Sequence, residues 1–172
     1  MTTVLVTGPI GGGKSTVCRY LEAKGYPVYD CDSRCKALYC TVPGLKTKIE
    51  SELGIPFSRL DMVFKSPVKL AKLENIVYPL LVADIEEWKA VLGSDMAFIE
   101  SAVALEKPAF GHLWDKVLLV DAPLSVRRRR NAKAEERGAF QHFDDKQVDY
   151  IIVNDSKLES LFPKIDKFIE AL

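Results

Sequence analysis

The chain has 172 residues, 48% hydrophobic and 28% charged, enough for one core with small insertions. Lysine plus arginine and aspartate plus glutamate both number 24, so the formal net charge is zero and no global field recruits nucleic acid or an anionic membrane. The first strand starts without a basic and apolar leader, and no apolar stretch approaches the roughly 20 residues needed to span a bilayer, so a cytoplasmic protein with neither nucleic-acid nor membrane partner is expected.

Residues 4–15 read VLVTGPIGGGKS. A β-branched run, no longer than about five residues as a strand, breaks into Gly8-x-x-x-x-Gly13-Lys14-Ser15, the spacing of a phosphate-gripping loop. The glycines allow backbone N–H groups to curl round a phosphate chain, and residues 15–24 suit a helix whose positive end faces the same anion. Lys14 then reaches the β and γ oxygens and Ser15 ligates Mg²⁺, which makes this a nucleotide site with Gly11, Gly12, Gly13, Lys14, Ser15 and Thr16 as its grip.

The second strand, 28–30, ends on Asp30-Cys31-Asp32, and Asp32 doubles as a potential N-cap for a helix over 33–39. Cys18, Cys31, Cys35 and Cys40 come without a secretory signal or a Cys-x-x-Cys pair, so free thiols are expected rather than disulfides or zinc. Ser66-Pro67 is a helix start. Val68, Leu70, Leu73, Ile76, Val77, Leu80 and Leu81 then repeat near helical spacing until Pro79 bends or interrupts the helix. Together with 45–53 this forms a helical insertion. Strands at 96–100, 117–121 and 150–153 follow, the first ending on Glu100 and the second on Asp121. Leu158, Leu161, Phe162, Ile165, Phe168, Ile169 and Leu172 make one apolar helical stripe, read as core packing.

Short, continuously apolar strands separated by helices imply an α/β layered fold: a five-stranded parallel sheet covered on both faces, with its ligand at the carboxyl ends of the strands. One domain is expected, with a core of 1–42, 94–123 and 148–172, an insertion at about 43–93 and a polar, Arg-rich segment at about 124–147. Helical spacing divides Arg127-Arg128-Arg129-Arg130: positions 127, 130 and 137 share a stripe, while Arg128 and Arg129 turn elsewhere. Phosphoryl transfer needs positive charge on the γ-phosphate, which points to Arg130 and Arg137. Glu100 and Asp121 compete for indirect support of Mg²⁺ through water.

These residues, taken together, resemble a family. Gly8 to Val17, Val28-Tyr29-Asp30-Cys31-Asp32, Val63-Phe64-Lys65-Ser66 leading to Tyr78-Pro79, Ile99-Glu100, the segment ending Arg137-Gly138-Ala139-Phe140-Gln141 and Ile151-Ile152-Val153-Asn154 are similar in order and spacing to dephospho-CoA kinases. The resemblance implies a three-layer fold like that of P-loop nucleoside-monophosphate kinases, with the insertion binding the acceptor and the Arg-rich segment a short lid. It implies transfer of the ATP γ-phosphate to the ribose 3′-hydroxyl of dephospho-CoA, with ATP and Mg²⁺ as cofactors. Asp32 would orient or deprotonate that hydroxyl, and Asn154 would lie near the adenine. A kinase of another small metabolite or nucleotide is an alternative. From a different class, a nucleotide-binding switch protein is another, although the guanine-selective Asn-Lys-x-Asp is absent from 131–134.

Overall fold

A computed structural model describes residues 1–132, 134, 143 and 147–172. The chain divides into two compact units, Met1–Asp30 with Leu92–Leu172, and Cys31–Val91.

The first unit is built on a five-stranded parallel sheet in the order β2-β3-β1-β4-β5. The strands are β1 (Thr2–Thr7), β2 (Val28–Asp30), β3 (Met96–Glu100), β4 (Lys116–Asp121) and β5 (Tyr150–Val153). The central strand β1 is buried from Thr3 to Thr7, and Val4, Leu5 and Val6 are fully buried. Side chains alternate across a strand, so burial of three consecutive residues means that both faces are covered.

The first and fourth strands are longer than their apolar runs. β1 has six residues, not the five expected, because Thr2 and Thr3 pair with Met96 and Ala97 of β3. Lys116 joins β4 by pairing with Val4. Neither extension carries an apolar signal; both are dictated by the neighbouring strand. α1 (Lys14–Ala23) and α6 (Leu158–Glu170) turn Val17, Cys18, Leu21, Leu161, Ile165 and Phe168 into one cluster with Val4, Val6, Phe98, Leu118, Val120 and Ile152. The rings of Tyr20 and Phe162 stack at 4.2 Å between these helices. The C-terminal stripe is therefore core packing from Leu161 onward, as its spacing suggested, whereas Leu158 leaves it and is 52% exposed. A short α5 (Leu124–Arg130) follows β4.

The second unit is helical: α2 (Cys31–Thr41), α3 (Leu45–Leu53), a 3₁₀ segment (Phe57–Lys65) and α4 (Pro67–Ala90). Ser66 caps α4 by accepting from the Lys69 N–H (3.4 Å), with Pro67 at the first helical position. Of the two expected outcomes at Pro79, a bend or an interruption, the interruption does not occur: α4 runs through it. Its ring removes one main-chain hydrogen bond, but Leu73, Val77, Leu81 and Ile85 are buried at four-residue spacing on both sides of it. Val68 leaves the expected stripe and is 68% exposed. Arg34 and Asp84 form a two-pronged ion pair between α2 and α4, at 2.8 and 2.6 Å. All four cysteines are free, and no group of three or more potential metal ligands occurs among the described residues. No helix of the described residues is long and apolar enough to cross a membrane.

Candidate active site

The loop between β1 and α1 is shaped by what lies behind it. Gly8 has φ +142°, and a Cβ there would collide with the Val120 carbonyl of β4. Gly13 has φ +107° and sits against the Asn154 side-chain amide, so a Cβ would collide again. α1 starts at the next residue, and no side chain caps it. An uncapped helix N-terminus behind a glycine loop is a seat for phosphate. Lys14 closes over this concavity, its Nζ donating to the carbonyls of Gly8 (2.8 Å) and Pro9 (3.3 Å).

Two acids stand at neighbouring strand ends. Asp30 and Glu100 are register partners across β2 and β3. Ser15, in the first turn of α1, donates its hydroxyl to Glu100 Oε1 at 2.9 Å. Burial raises the Glu100 carboxyl above its ordinary range, and the charge on Asp30 adds to the rise, while the Ser15 hydroxyl and the Lys14 ammonium pull the other way. The Cys18 thiol, one turn after Ser15, is pushed up by burial and then by Glu100. Asp121 is engaged differently: its Oδ1 accepts from the Ala122 N–H (2.7 Å) and lies 3.9 Å from Arg127 Nε.

The arginines of α5 separate by what they touch. Arg127 is half-buried and donates from Nε to the Ala122 carbonyl (2.9 Å), and its backbone packs on Gly11. Arg130, one turn later, donates from Nη1 to the carbonyls of Gly11 (3.2 Å) and Gly12 (3.4 Å) and from Nη2 to Asn154 Oδ1 (3.4 Å). Arg128, Arg129 and Arg130 are all exposed, and Arg130 is set apart by its bonds to the loop. Asn154, just past β5, is 5% exposed and donates from Nδ2 to the Gly12 carbonyl at 2.9 Å. Gly13, Thr16, Arg130, Asn154, Ser156, Lys157 and Leu158 line a cavity of about 240 Å³ beside the loop.

The first unit thus assembles Gly11, Gly12, Gly13, Lys14, Ser15, Thr16, Glu100, Arg130 and Asn154. Asp32 belongs to the second unit, where it is exposed in the first turn of α2. It is not the N-cap of a helix over 33–39, since α2 already begins at Cys31. Arg137 lies outside the described residues. Sequence reading left Arg127 without a role and did not pair Asp30 with Glu100. Arg127 was detectable as the residue one turn before Arg130, and Asp30 as an acid at the same end of a parallel strand as Glu100.

No protein-family model matches the chain. Among curated proteins it is 36% identical to the dephospho-CoA kinase of Porphyromonas gingivalis over 139 residues, which cover 76% of this chain and 68% of that one. It is 31% identical to the dephospho-CoA kinase of Aquifex aeolicus over 100% of this chain and 98% of that one. Among solved structures, the Thermus thermophilus protein TT1252 matches with a TM-score of 0.82 and 28% identity, over 99% of this chain and 97% of that one.

Proposed function

The chain belongs to the dephospho-CoA kinase family, and from that premise we propose that it moves the γ-phosphate of ATP to the ribose 3′-hydroxyl of dephospho-CoA. The observation that carries the reading is the placement of two cations, Lys14 and Arg130, on the carbonyls of one glycine loop at a helix N-terminus. A loose phosphoryl-transfer transition state spreads negative charge over the equatorial oxygens, and preorganised positive groups and N–H donors are what lower its energy. Lys14 and the N–H groups of the loop hold the β and γ phosphates, with Arg130 and Arg137 over the transferring group. The cavity bordered by Gly13, Thr16 and Asn154 takes the nucleoside end of ATP.

The oxygen donors present suit Mg²⁺. This ion binds one or two carboxylates or hydroxyls together with substrate phosphates and water, rather than a protein cage of many ligands. Ser15 would hold it, and Glu100, already hydrogen-bonded to that hydroxyl, would support it from behind through water. When bound, the ion neutralises charge on the β and γ oxygens. Accepting the Ser15 proton keeps the hydroxyl lone pairs directed away from Glu100. Asp121 is the weaker choice, because its carboxylate is tied to its own neighbour. In the helical unit, Asp32 orients or deprotonates the acceptor hydroxyl.

The test is ATP consumption against dephospho-CoA, a panel of nucleoside monophosphates, shikimate and no acceptor. Turnover with dephospho-CoA at least about 100-fold above every other acceptor is expected. Faster turnover with another acceptor, or equal hydrolysis with none, would overturn the assignment.

A further inference from the structure

A loop whose N–H groups converge on an anion turns its carbonyls outward, and each outward carbonyl in a buried loop needs a donor of its own. Lys14 supplies Gly8 and Pro9, and Arg130 supplies Gly11 and Gly12. Both donors are charged groups required on phosphate during transfer. Asn154 is the third donor and differs from them: it is neutral, 5% exposed, and anchored by its own N–H on the Asp121 carbonyl at 2.7 Å. Its amide orientation is set from two sides. Nδ2 faces the Gly12 carbonyl and Oδ1 faces the Arg130 guanidinium, and the flipped amide would put oxygen against oxygen and donor against donor.

We infer that Asn154 is a positioning residue for the triphosphate: from the end of β5 it pins the Gly12 carbonyl outward and holds Arg130 in register with the phosphate loop. It borders the nucleotide cavity, yet its amide works on the phosphate-binding backbone rather than on the base. The inference rests on the reading of this loop as the ATP site.

The experiment titrates the whole protein and its Asn154→Ala, Asn154→Asp and Arg130→Ala variants with ATP and with inorganic tripolyphosphate, which shares the phosphate chain and lacks the base. Dissociation constants, turnover and melting temperature are read. Asn154→Ala is expected to weaken both ligands by the same factor, about tenfold, and to lower kcat by a further tenfold or so. Asn154→Asp keeps a partner for Arg130 but sets a carboxylate against the Gly12 carbonyl, and is expected to weaken both ligands at least as much. The Arg130→Ala/Asn154→Ala double variant is expected to lose less than the product of the single losses. A loss confined to ATP overturns the proposal in favour of a base contact. Unchanged dissociation constants, with or without a lower melting temperature, overturn it as well. Failure of the unmodified protein to bind ATP would overturn the nucleotide reading itself, and this proposal with it.

Discussion

The Ser15 hydroxyl donates to Glu100 Oε1 at 2.9 Å, joining the first turn of α1 to the end of β3 directly beside the Asp30 carboxylate. Glu100 is half-buried next to a like charge, so in the metal-free protein its carboxyl is raised from the ordinary 4.5, chiefly by burial. Above the ordinary value the folded state then binds more protons than the unfolded state, and stability falls as pH rises through the raised range. Glu100→Gln removes this loss. Metal-free Glu100→Gln is expected to melt about 2 °C or more above the unmodified protein at neutral pH, and to lose that advantage below pH 4 or so. The same variant is expected to need about tenfold more Mg²⁺ for half-maximal turnover. Melting curves across pH, with and without Mg²⁺, check both parts.

Lys14→Ala is expected to lower turnover by about 1,000-fold at saturating ATP and Mg²⁺. Lys14 Nζ bonds to the loop carbonyls of Gly8 and Pro9, and the loop's shape comes from its glycines, so the melting temperature is expected to stay within a few degrees. Near-normal turnover would remove the phosphate-loop assignment.

The arginine tetrad offers a contrast within one helix. Both Arg129 and Arg130 are exposed, but Arg130 donates to the phosphate loop. Arg130→Ala is expected to lower kcat by at least about tenfold, and Arg129→Ala to change it by less than about threefold. Steady-state kinetics on the two variants decide between a directed arginine and a diffuse field of charge, which would make the losses equal.

Asp32→Asn tests the acceptor side. With α2 starting at Cys31, Asp32 is a first-turn acid that faces the positive end of the helix dipole, and its replacement is expected to cost only about 0.5 kcal/mol of stability. Activity is a separate matter: kcat on dephospho-CoA is expected to fall about 100-fold while ATP affinity changes by less than about twofold. Turnover that follows only the small stability change would leave Asp32 structural and redirect attention to Asp30.

By itself, the amino-acid order determined what is encoded over a few neighbouring residues. The glycine spacing before Lys14 and Ser15, the five apolar runs of the sheet, the Ser66-Pro67 helix start and the C-terminal stripe are each legible because a local pattern sets the backbone conformation. The expectation of a nucleotide site rests on the first of these alone. Tertiary structure decided whatever depends on partners distant along the chain. Thr2 and Lys116 become strand because a neighbour offers backbone groups to pair with, and Pro79 stays helical because packing on both sides of it outweighs one lost hydrogen bond. The bond from the Ser15 hydroxyl to Glu100 joins residues 85 positions apart. The link from Asn154 to Gly12 spans 142 positions, and no local pattern carries a contact of that range, because the order of strands in the sheet brings the two together.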